Sequence, residues 1–261
     1  MRYIINYIKV LLLIFGVEIH RSKSIRISGN KLFANRKLVN SDNGYWYVNP
    51  MPSNLELMQY YKSTYWHGRG GVANGINGRD LLHWNLIMDY LSLFFSKKKN
   101  ILNFGAGGGG ISHLFWLNNH NIINIEPSDP PKCYKERWNT YKSFDCIESN
   151  SIDFLYGSHS LEHVGNLEEF EKNIYRVMSK DSYIFLEVPN GNNPRNGAAL
   201  NKIHVPHTYY FRKEYFSKFF KEILINDEFN QSHEFGIFDD WRDFKVQNGV
   251  VIRCLTKFSK D

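Results

Sequence analysis

ILNFGAGGGG, residues 101–110, is an apolar run that ends in five glycines among six positions. Such a run, followed directly by glycines, predicts a buried strand that turns tightly into a helix and leaves its backbone accessible to a ligand. Residues 111–117 then have the apolar spacing of a short helix. The stretch therefore predicts the first strand, turn and helix of a ligand-binding α/β domain.

A carboxylate stands at the end of the next apolar run, because Glu126 follows Ile-Ile-Asn-Ile at 122–125. A carboxylate at the tip of the second strand can accept both hydroxyl groups of a ribose, which predicts a nucleoside-bearing cofactor. The glycines leave its identity open. Positions 105, 107 and 110 fit the dinucleotide spacing GxGxxG, whereas 105, 107 and 109 fit the GxGxG of S-adenosylmethionine enzymes. A flexible connection without a ligand is the third alternative.

Composition narrows the class of protein. A chain of 261 residues with 43% hydrophobic content can form one large α/β domain with attachments, or two small domains. Its three cysteines, Cys133, Cys146 and Cys254, are far apart, which argues against a disulfide framework or a zinc knuckle. The net charge of +6 is dispersed and comes with no nucleic-acid-binding motif. We expect a cytoplasmic protein that does not bind nucleic acid.

Residues 1–20 predict an apolar N-terminal helix. Positions 4–17 are almost wholly apolar, and basic residues follow them. This segment of about fourteen residues is too short to span a bilayer comfortably, and no small-residue cleavage site follows it. Two alternatives stay open, a helix packed on the domain and an interfacial helix in peripheral contact with a membrane.

Residues 21–98 predict an N-terminal cover segment. Residues 21–43 suggest small strands or an irregular linker, and helices are predicted from Ser53 or Asn54 onward and over 79–95. Because both helices precede the glycine loop, we expect them to cover the cofactor site. We interpret the aromatic residues near the first helix mainly as core packing, with a lid over the acceptor as the alternative. They are Tyr60, Tyr61, Tyr65 and Trp66.

Residues 99–261 predict the main domain, in which strands and helices alternate. Alternation of this kind favours a parallel sheet with helices on both faces. Strands are predicted over 151–156, 183–188 and 250–255, and helices over 167–178 and 212–223.

The order of these segments resembles that of class I S-adenosylmethionine-dependent methyltransferases, in particular the small-molecule and sugar methyltransferases. The resemblance rests on ILNFGAGGG (101–109), IEP (125–127), SIDF (151–154), SLEHV (160–164) and LEVPN (186–190), with further support from YVNPMP (47–52) and HVPHTYYF (204–211). It covers most of the chain. The resemblance implies a Rossmann-like, seven-stranded α/β sheet that is mostly parallel, has an antiparallel last strand and carries helices on both faces.

The resemblance also implies a cofactor site for S-adenosylmethionine at the carboxyl ends of the parallel strands. Glycine-loop residues would approach its methionyl part, Glu126 with Pro127 would hold the ribose, and Asp145 beside Cys146 would flank the adenine. Ser158 and His159 would line the pocket after the fourth strand. The loop residues are Gly105, Ala106, Gly107 and Gly109. Asn103 departs from the family, which has Asp or Glu there, so a hydrogen bond is kept and a charge attraction lost.

Methyl transfer from a sulfonium requires alignment, exclusion of water and, for a hydroxyl acceptor, removal of a proton. His163 and His207 are the predicted catalytic bases, with His204 beside them in the same loop. The alternative for each is a structural hydrogen-bonding histidine. His159, Glu162 and His163 have the spacing of a metal site on one helical turn, but the favoured prediction is a site without metal.

The function predicted from the sequence is S-adenosylmethionine-dependent methylation of a small molecule, with an oxygen of a sugar or glycan precursor as the favoured acceptor. A nicotinamide-dependent oxidoreductase that uses GxGxxG is one alternative. A non-catalytic protein that binds S-adenosylmethionine is the other, because of Asn103.

Overall fold

The computed structural model describes residues 24–26, 36–60, 76–127, 138–192, 207–230 and 239–260. The predicted helix within residues 1–20, with its membrane contact at 4–17, lies outside these ranges, as do Tyr61, Tyr65, Trp66 and His204. Within the described ranges, no helix combines the length and apolarity needed to cross a membrane.

Two sheets organise the chain. The strands, in chain order, are β1 (Ser24–Arg26), β2 (Lys37–Ser41), β3 (Tyr45–Asn49), β4 (Asn100–Phe104), β5 (Asn121–Ile125), β6 (Asn139–Tyr141), β7 (Ile152–Ser158), β8 (Met178–Pro189), β9 (Tyr209–Phe211), β10 (Glu222–Phe229) and β11 (Val251–Phe258). The α-helices are α1 (Asn54–Tyr60), α2 (Gly78–Leu91), α3 (Gly110–Leu117), α4 (Leu167–Val177) and α5 (Lys213–Phe219).

The larger sheet has seven strands in the order β10-β11-β8-β7-β4-β5-β6. Strands β4 to β8 pair in parallel, whereas β11 runs antiparallel to both β8 and β10. The predicted sheet, mostly parallel with an antiparallel last strand, is therefore confirmed. Because β4, β5, β6 and β7 run the same way, their carboxyl ends meet at one edge, where the polar residues of the site gather.

Helices cover both faces of this sheet, as predicted. Neighbouring strand residues belong to different apolar clusters: Leu102 packs with α4 and α5, and Ile101 packs with α2 and α3. This alternation follows from the two-residue period of a strand. The buried apolar residues of α2 recur at helical spacing and face the second cluster; they are Leu82, Leu86, Ile87 and Leu91.

Helix α2 begins and ends for identifiable reasons. Asn77 caps it, because its Oδ1 accepts from the Asp80 N–H while Asp80 Oδ2 accepts from the Asn77 N–H, a capping box. The helix ends at Leu91 and not at residue 95 as predicted. A 3₁₀ turn, Phe94–Ser96, follows it, in which Phe94 packs on Tyr183 and Phe95 on Phe154. The α-helix ends before these two phenylalanines, which contact the sheet from the 3₁₀ turn.

The prediction of a helix over 212–223 was wrong at its C-terminal end. Helix α5 ends at Phe219, and residues from Glu222 onward form β10. Seven residues of β10 pair with β11, so long-range pairing overrides the local apolar pattern.

The smaller sheet is antiparallel and joins the segment before the glycine loop to the chain after β8. Its order is β1-β2-β3-β9. Tyr45 of β3 contacts Tyr209 of β9 edge to face, with ring centroids 5.6 Å apart. This sheet fixes the residues around β9, including His207, which lies two positions before it.

Candidate active site

The glycine loop follows β4 and begins α3. Both Gly105 and Ala106 donate their N–H to the carbonyl of Ile125, at 2.8 and 3.1 Å, which ties the loop to the end of β5. Gly105, Gly107 and Gly109 all have positive φ, and Gly109 is the N-cap of α3. The glycines of the GxGxG spacing thus occupy the left-handed positions that other residues rarely adopt.

Glu126 is buried at the carboxyl end of β5, and its Oε2 accepts the N–H of Gly107 at 2.8 Å. The Glu126 N–H in turn donates to the carbonyl of Tyr141 in β6. A carboxylate only accepts hydrogen bonds, so this position suits the hydroxyls of a ribose, and the half-exposed loop backbone suits the methionyl part. The residues present therefore fit S-adenosylmethionine.

Two further predicted cofactor residues lie at the same edge of the sheet. Pro127 follows Glu126 and is exposed. Asp145 lies in a 3₁₀ turn after β6, also exposed, and its Oδ2 accepts the Ser143 hydroxyl at 2.8 Å. Positions beyond β5 and β6 are those from which a nucleoside can be reached.

Asn103 is buried inside the protein and contacts other buried polar residues. Its Nδ2 donates to Ser112 Oγ at 2.8 Å, and Ser112 Oγ donates to Asn124 Oδ1 at 2.9 Å. This chain of hydrogen bonds links β4, α3 and β5 directly beneath the loop. The amide acts as a donor here, which an ionised carboxylate could not do. Sequence reasoning missed Ser112 and Asn124, although each is a polar residue within an apolar run.

Ser158 and His159, at the end of β7, contact two buried carboxylates. Ser158 Oγ donates to Glu187 Oε1 at 2.9 Å. His159 Nδ1 lies 3.2 Å from Glu162 Oε1, and its Nε2 lies 3.3 Å from Glu187 Oε1. Its backbone has a φ of 51°, in the left-handed region, and its N–H donates to the Glu187 carbonyl. A residue other than glycine held there stores backbone strain of the kind found at functional sites.

The His159 ring is cationic at neutral pH. Burial lowers its pKa, but the hydrogen bonds and charges of Glu162 and Glu187 outweigh burial and raise the pKa to about 9. His159 therefore forms a charged bridge between the two carboxylates.

Glu187, in β8, is the centre of a buried polar network. Its Oε2 accepts from Arg253 Nε at 2.8 Å and from His83 Nε2 at 2.9 Å, and these three side chains are fully buried. Burial alone would raise the pKa of Glu187, but the charge of Arg253, the cationic His159 and the hydrogen bond from His83 hold it well below its usual value. Sequence reasoning missed this network, although a lone Glu in IFLEVP and a lone Arg in VIRCL are signals of a buried ion pair.

His83 is neutral, because burial outweighs the nearby Glu187 and lowers its pKa to about 4. A neutral imidazole has one donor and one acceptor nitrogen. Nε2 therefore donates to Glu187, and Nδ1 accepts the hydroxyl of Tyr156 at 2.7 Å.

The predicted bases His163 and His207 come together at Glu162. Their Nε2 atoms lie 3.8 and 3.9 Å from Glu162 Oε1, and their ring centroids are 4.9 Å apart. Thr208 fixes this approach, because its N–H and hydroxyl both donate to the backbone carbonyl of Glu162. Long-range hydrogen bonds thus place His207 beside a turn more than 40 residues earlier in the sequence.

Glu162 itself is buried, with 1% of its surface exposed. Burial would raise its pKa, but the His159 hydrogen bond and the charges of all three histidines lower the pKa to about 2. Its Oε2 has no hydrogen-bond partner among the residues that the structure describes.

One atom from each of Glu162, His163 and His207 lies within 4.8 Å of the others, so a metal ion could be held there. His207 takes the place that the sequence alternative gave to His159. We assign no metal, because Glu162 already pairs with the cationic His159. The absence of a metal stays a prediction.

The histidine cluster adjoins the glycine loop through Ser160. A Cβ on Gly105 would lie 2.0 Å from Ser160 Oγ, which shows how closely the loop and the segment containing Glu162 approach. Ser160 Oγ donates to the carbonyl of Ser158 at 3.1 Å. The cofactor loop and the histidines therefore border one site.

Solved structures share this architecture. The 1,6-didemethyltoxoflavin-N1-methyltransferase of Burkholderia thailandensis, with 1,6-didemethyltoxoflavin and S-adenosylhomocysteine bound, is 13% identical, with a TM-score of 0.51 over 92% of this chain and 100% of that chain. A Listeria monocytogenes protein described as an S-adenosylmethionine-dependent methyltransferase is 11% identical, with a TM-score of 0.51 over 70% of this chain and 99% of that chain. At these identities the likeness shows the fold. No curated protein matches the sequence.

A family model described as "Methyltransferase domain" matches residues 81–225, more than half of the chain. This match decides between the two glycine spacings in favour of S-adenosylmethionine and against a nicotinamide cofactor. It includes α2 from residue 81 onward, within the predicted cover segment, as well as the glycine loop, Glu126 and the histidine cluster. The chain therefore belongs to the methyltransferase-domain family and is a class I S-adenosylmethionine-dependent methyltransferase.

Proposed function

We propose that this methyltransferase acts on an oxygen of a small molecule, with a sugar or glycan precursor as the favoured class. The observation that carries the proposal is that His163 and His207 meet at Glu162, in the turn whose Ser160 closely approaches Gly105. An acceptor hydroxyl is a poor nucleophile until its proton leaves, and imidazole is the side chain best suited to take a proton near neutral pH. The Burkholderia enzyme, by its name, methylates a nitrogen of a small molecule, which supports the size of the acceptor only.

The proposed cofactor contacts follow the geometry of the strand ends. Bound S-adenosylmethionine supplies the methyl group as a sulfonium. The backbone of Gly105, Ala106, Gly107 and Gly109 would bind the methionyl part. Glu126 and Pro127 would hold the ribose and Asp145 would flank the adenine, while Asn103 would support the loop from beneath. Ser158 and His159 would border the pocket through their contacts with Glu187.

The proposed chemistry requires alignment and one proton transfer. The acceptor oxygen forms its bond to the methyl carbon as the bond from that carbon to sulfur breaks, and the hydroxyl proton passes to His207 or His163. Both imidazoles are half-buried, so they can meet an acceptor while water is partly excluded.

The cofactor contacts can be tested by calorimetric titration with S-adenosylhomocysteine. Gly107→Asp adds a side chain at a positive φ beside Glu126, and Glu126→Ala removes the ribose acceptor, so each should weaken binding at least about tenfold, the loss of one charge-assisted contact. Glu148→Ala is the matched control, because Glu148 is an exposed acid in the connection between β6 and β7. Unchanged affinity in both loop variants would contradict the assigned site.

The acceptor can be tested by mass spectrometry of sugars, sugar nucleotides and other hydroxyl compounds incubated with the protein and S-adenosylmethionine. A gain of one methyl group, placed on oxygen by NMR, is the expected result. His207→Gln and His163→Gln should lower kcat by about 100-fold or more where the histidine is the base, with the KM for S-adenosylmethionine unchanged. Methylation only at nitrogen would refute the oxygen acceptor, and any methyl transfer would exclude a non-catalytic binding protein.

A further inference from the structure

A line of charges of alternating sign ends at the histidine cluster. Arg253 donates to Glu187, Glu187 lies against His159, and His159 lies against Glu162, with separations of 2.8, 3.3 and 3.2 Å. These residues come from β11, β8, the end of β7 and the turn that follows it. The two arginine nitrogens not used by Glu187 have no hydrogen-bond partner in the described part of the chain, and the guanidinium lies over the ring of Phe229 at 4.5 Å.

Glu162 acts on His163 and His207 through its charge and not through hydrogen bonds. The separations of 3.8 and 3.9 Å exceed hydrogen-bond length, whereas His159 at 3.2 Å fixes the carboxylate from the other side. A negative charge at 4 to 6 Å favours the protonated form of an imidazole. Among the described residues, Tyr210 also faces the cluster, with its ring centroid 5.7 Å from that of His207, and burial raises the pKa of its hydroxyl so that it stays neutral. Glu187 lies on the other side of His159, at 3.3 Å from its Nε2.

We propose that Glu162 is a positioning residue that keeps His163 and His207 basic, and that the line of Arg253, Glu187 and His159 keeps Glu162 ionised and in place. The proposal rests on the proposed function only in giving these two histidines the proton of the acceptor. Glu162 needs no contact with the acceptor, because its effect reaches the substrate through the imidazoles.

Three observations support this role. Glu162 is buried, and a buried carboxylate without a cationic partner tends to take up a proton and lose its charge. His159 supplies that partner, although its left-handed backbone carries strain. Finally, the lowered pKa of Glu162 and the raised pKa of His159 agree with an ion pair that persists across neutral pH.

The first experiment measures the histidine titrations directly by NMR in the full chain, without any acceptor and with a chelator present. In Glu162→Gln the midpoints of His163 and His207 should fall by about one to three pH units, because one charge within about 4 Å has been removed. His113, on α3, is the internal control, and Glu169→Gln, an exposed acid of α4, is the control variant. Midpoints that do not move would overturn the role of Glu162. Glu162→Asp, which restores the charge, should recover part of the shift and guards against a folding artefact.

The second experiment tests the line behind Glu162 through its carboxyl ¹³C signal. The wild-type signal should show no titration down to pH 4, whereas His159→Asn, which tolerates the left-handed backbone, should bring the midpoint above pH 4. His159→Gln serves as a second variant. If the Glu162 signal shows no titration in either variant, the proposal that His159 and the residues behind it keep Glu162 ionised is wrong.

These readouts separate the inference from the proposed function. Oxygen methylation with unmoved histidine midpoints would leave the function standing and remove the inference. Shifted histidine midpoints without methyl transfer to any hydroxyl would support the role of Glu162 and refute the proposed oxygen methylation.

Discussion

Gly105→Ala is the substitution that most directly tests the architecture of the loop. Gly105 has a φ of 73°, and an added Cβ would lie 2.0 Å from the Oγ and 2.6 Å from the Cβ of Ser160. Both of these Ser160 atoms sit well inside contact distance. The alanine variant must therefore change its own backbone, displace Ser160, or do both.

The cost has two parts. An alanine held in the left-handed region loses about 1–2 kcal/mol. Overpacking a closely fitted site costs about 1–3 kcal/mol more, because Ser160 is itself held by the Ser158 carbonyl. We therefore expect Gly105→Ala to lower the free energy of unfolding by about 2–5 kcal/mol. Binding of S-adenosylhomocysteine should weaken too, since the displaced atoms border the loop.

Urea denaturation and calorimetric titration measure these two effects. Gly108→Ala is the matched control, because Gly108 is in the same loop but is not among the glycines with positive φ; it should cost about 1 kcal/mol or less. In a Ser160→Gly background the steric part should vanish and leave about 1–2 kcal/mol for the backbone. If Gly105→Ala is as stable as Gly108→Ala, the reasoning about this loop fails.

Three further predictions concern buried polar groups. Asn103→Asp should lower the free energy of unfolding by about 1–3 kcal/mol in urea denaturation, because a carboxylate cannot donate to Ser112; an unchanged midpoint would refute the hydrogen-bond chain. Arg253→Met should cost about 3–5 kcal/mol by leaving a buried carboxylate short of its partner, whereas the exposed Arg242→Met should cost less than about 1 kcal/mol. The pKa of His159 is raised from 6.5 to about 9, so its stabilisation, at most about 3 kcal/mol, is complete below pH 6.5 and is lost as the pH rises through 9. Thermal unfolding between pH 6 and 10 should show this loss in wild type and not in His159→Gln.

Local sequence patterns were sufficient for the glycine loop and the elements next to it. An apolar run, five clustered glycines and an acid after the second run all describe short-range geometry, and the structure places Gly105, Gly107 and Glu126 together as the spacing predicts. The strand predicted over 151–156 is present as β7 and extends two residues further, to Ser158. These features depend on backbone conformation over a few residues, and the neighbouring residue types determine that conformation.

The elements that could not be predicted from local sequence patterns depend on contacts between residues far apart in the chain. Strand β9 has three residues and pairs with β3, more than 150 positions earlier in the chain. No local sequence pattern therefore predicts this strand. Residues 220–223 have an apolar pattern that also fits a helix, and only the pairing of β10 with β11 assigns the last two of them to a strand. The partners of Glu187 come from α2 and β11, which explains why the network escaped sequence reasoning although its charged residues were visible.

Because His83 is buried, its substitution is constrained by residues in distant segments of this chain. His83 lies in α2, before the glycine loop, yet its hydrogen bond to Glu187 reaches the strand whose other ionic partner is Arg253, near the C-terminus. Exchange of any one of these three residues leaves a buried polar group without its partner, which selection disfavours. Among relatives, His83, Glu187 and Arg253 should therefore covary. A chimera of two relatives joined between α2 and β4 should fold only when the two parent sequences together supply all three of these residues.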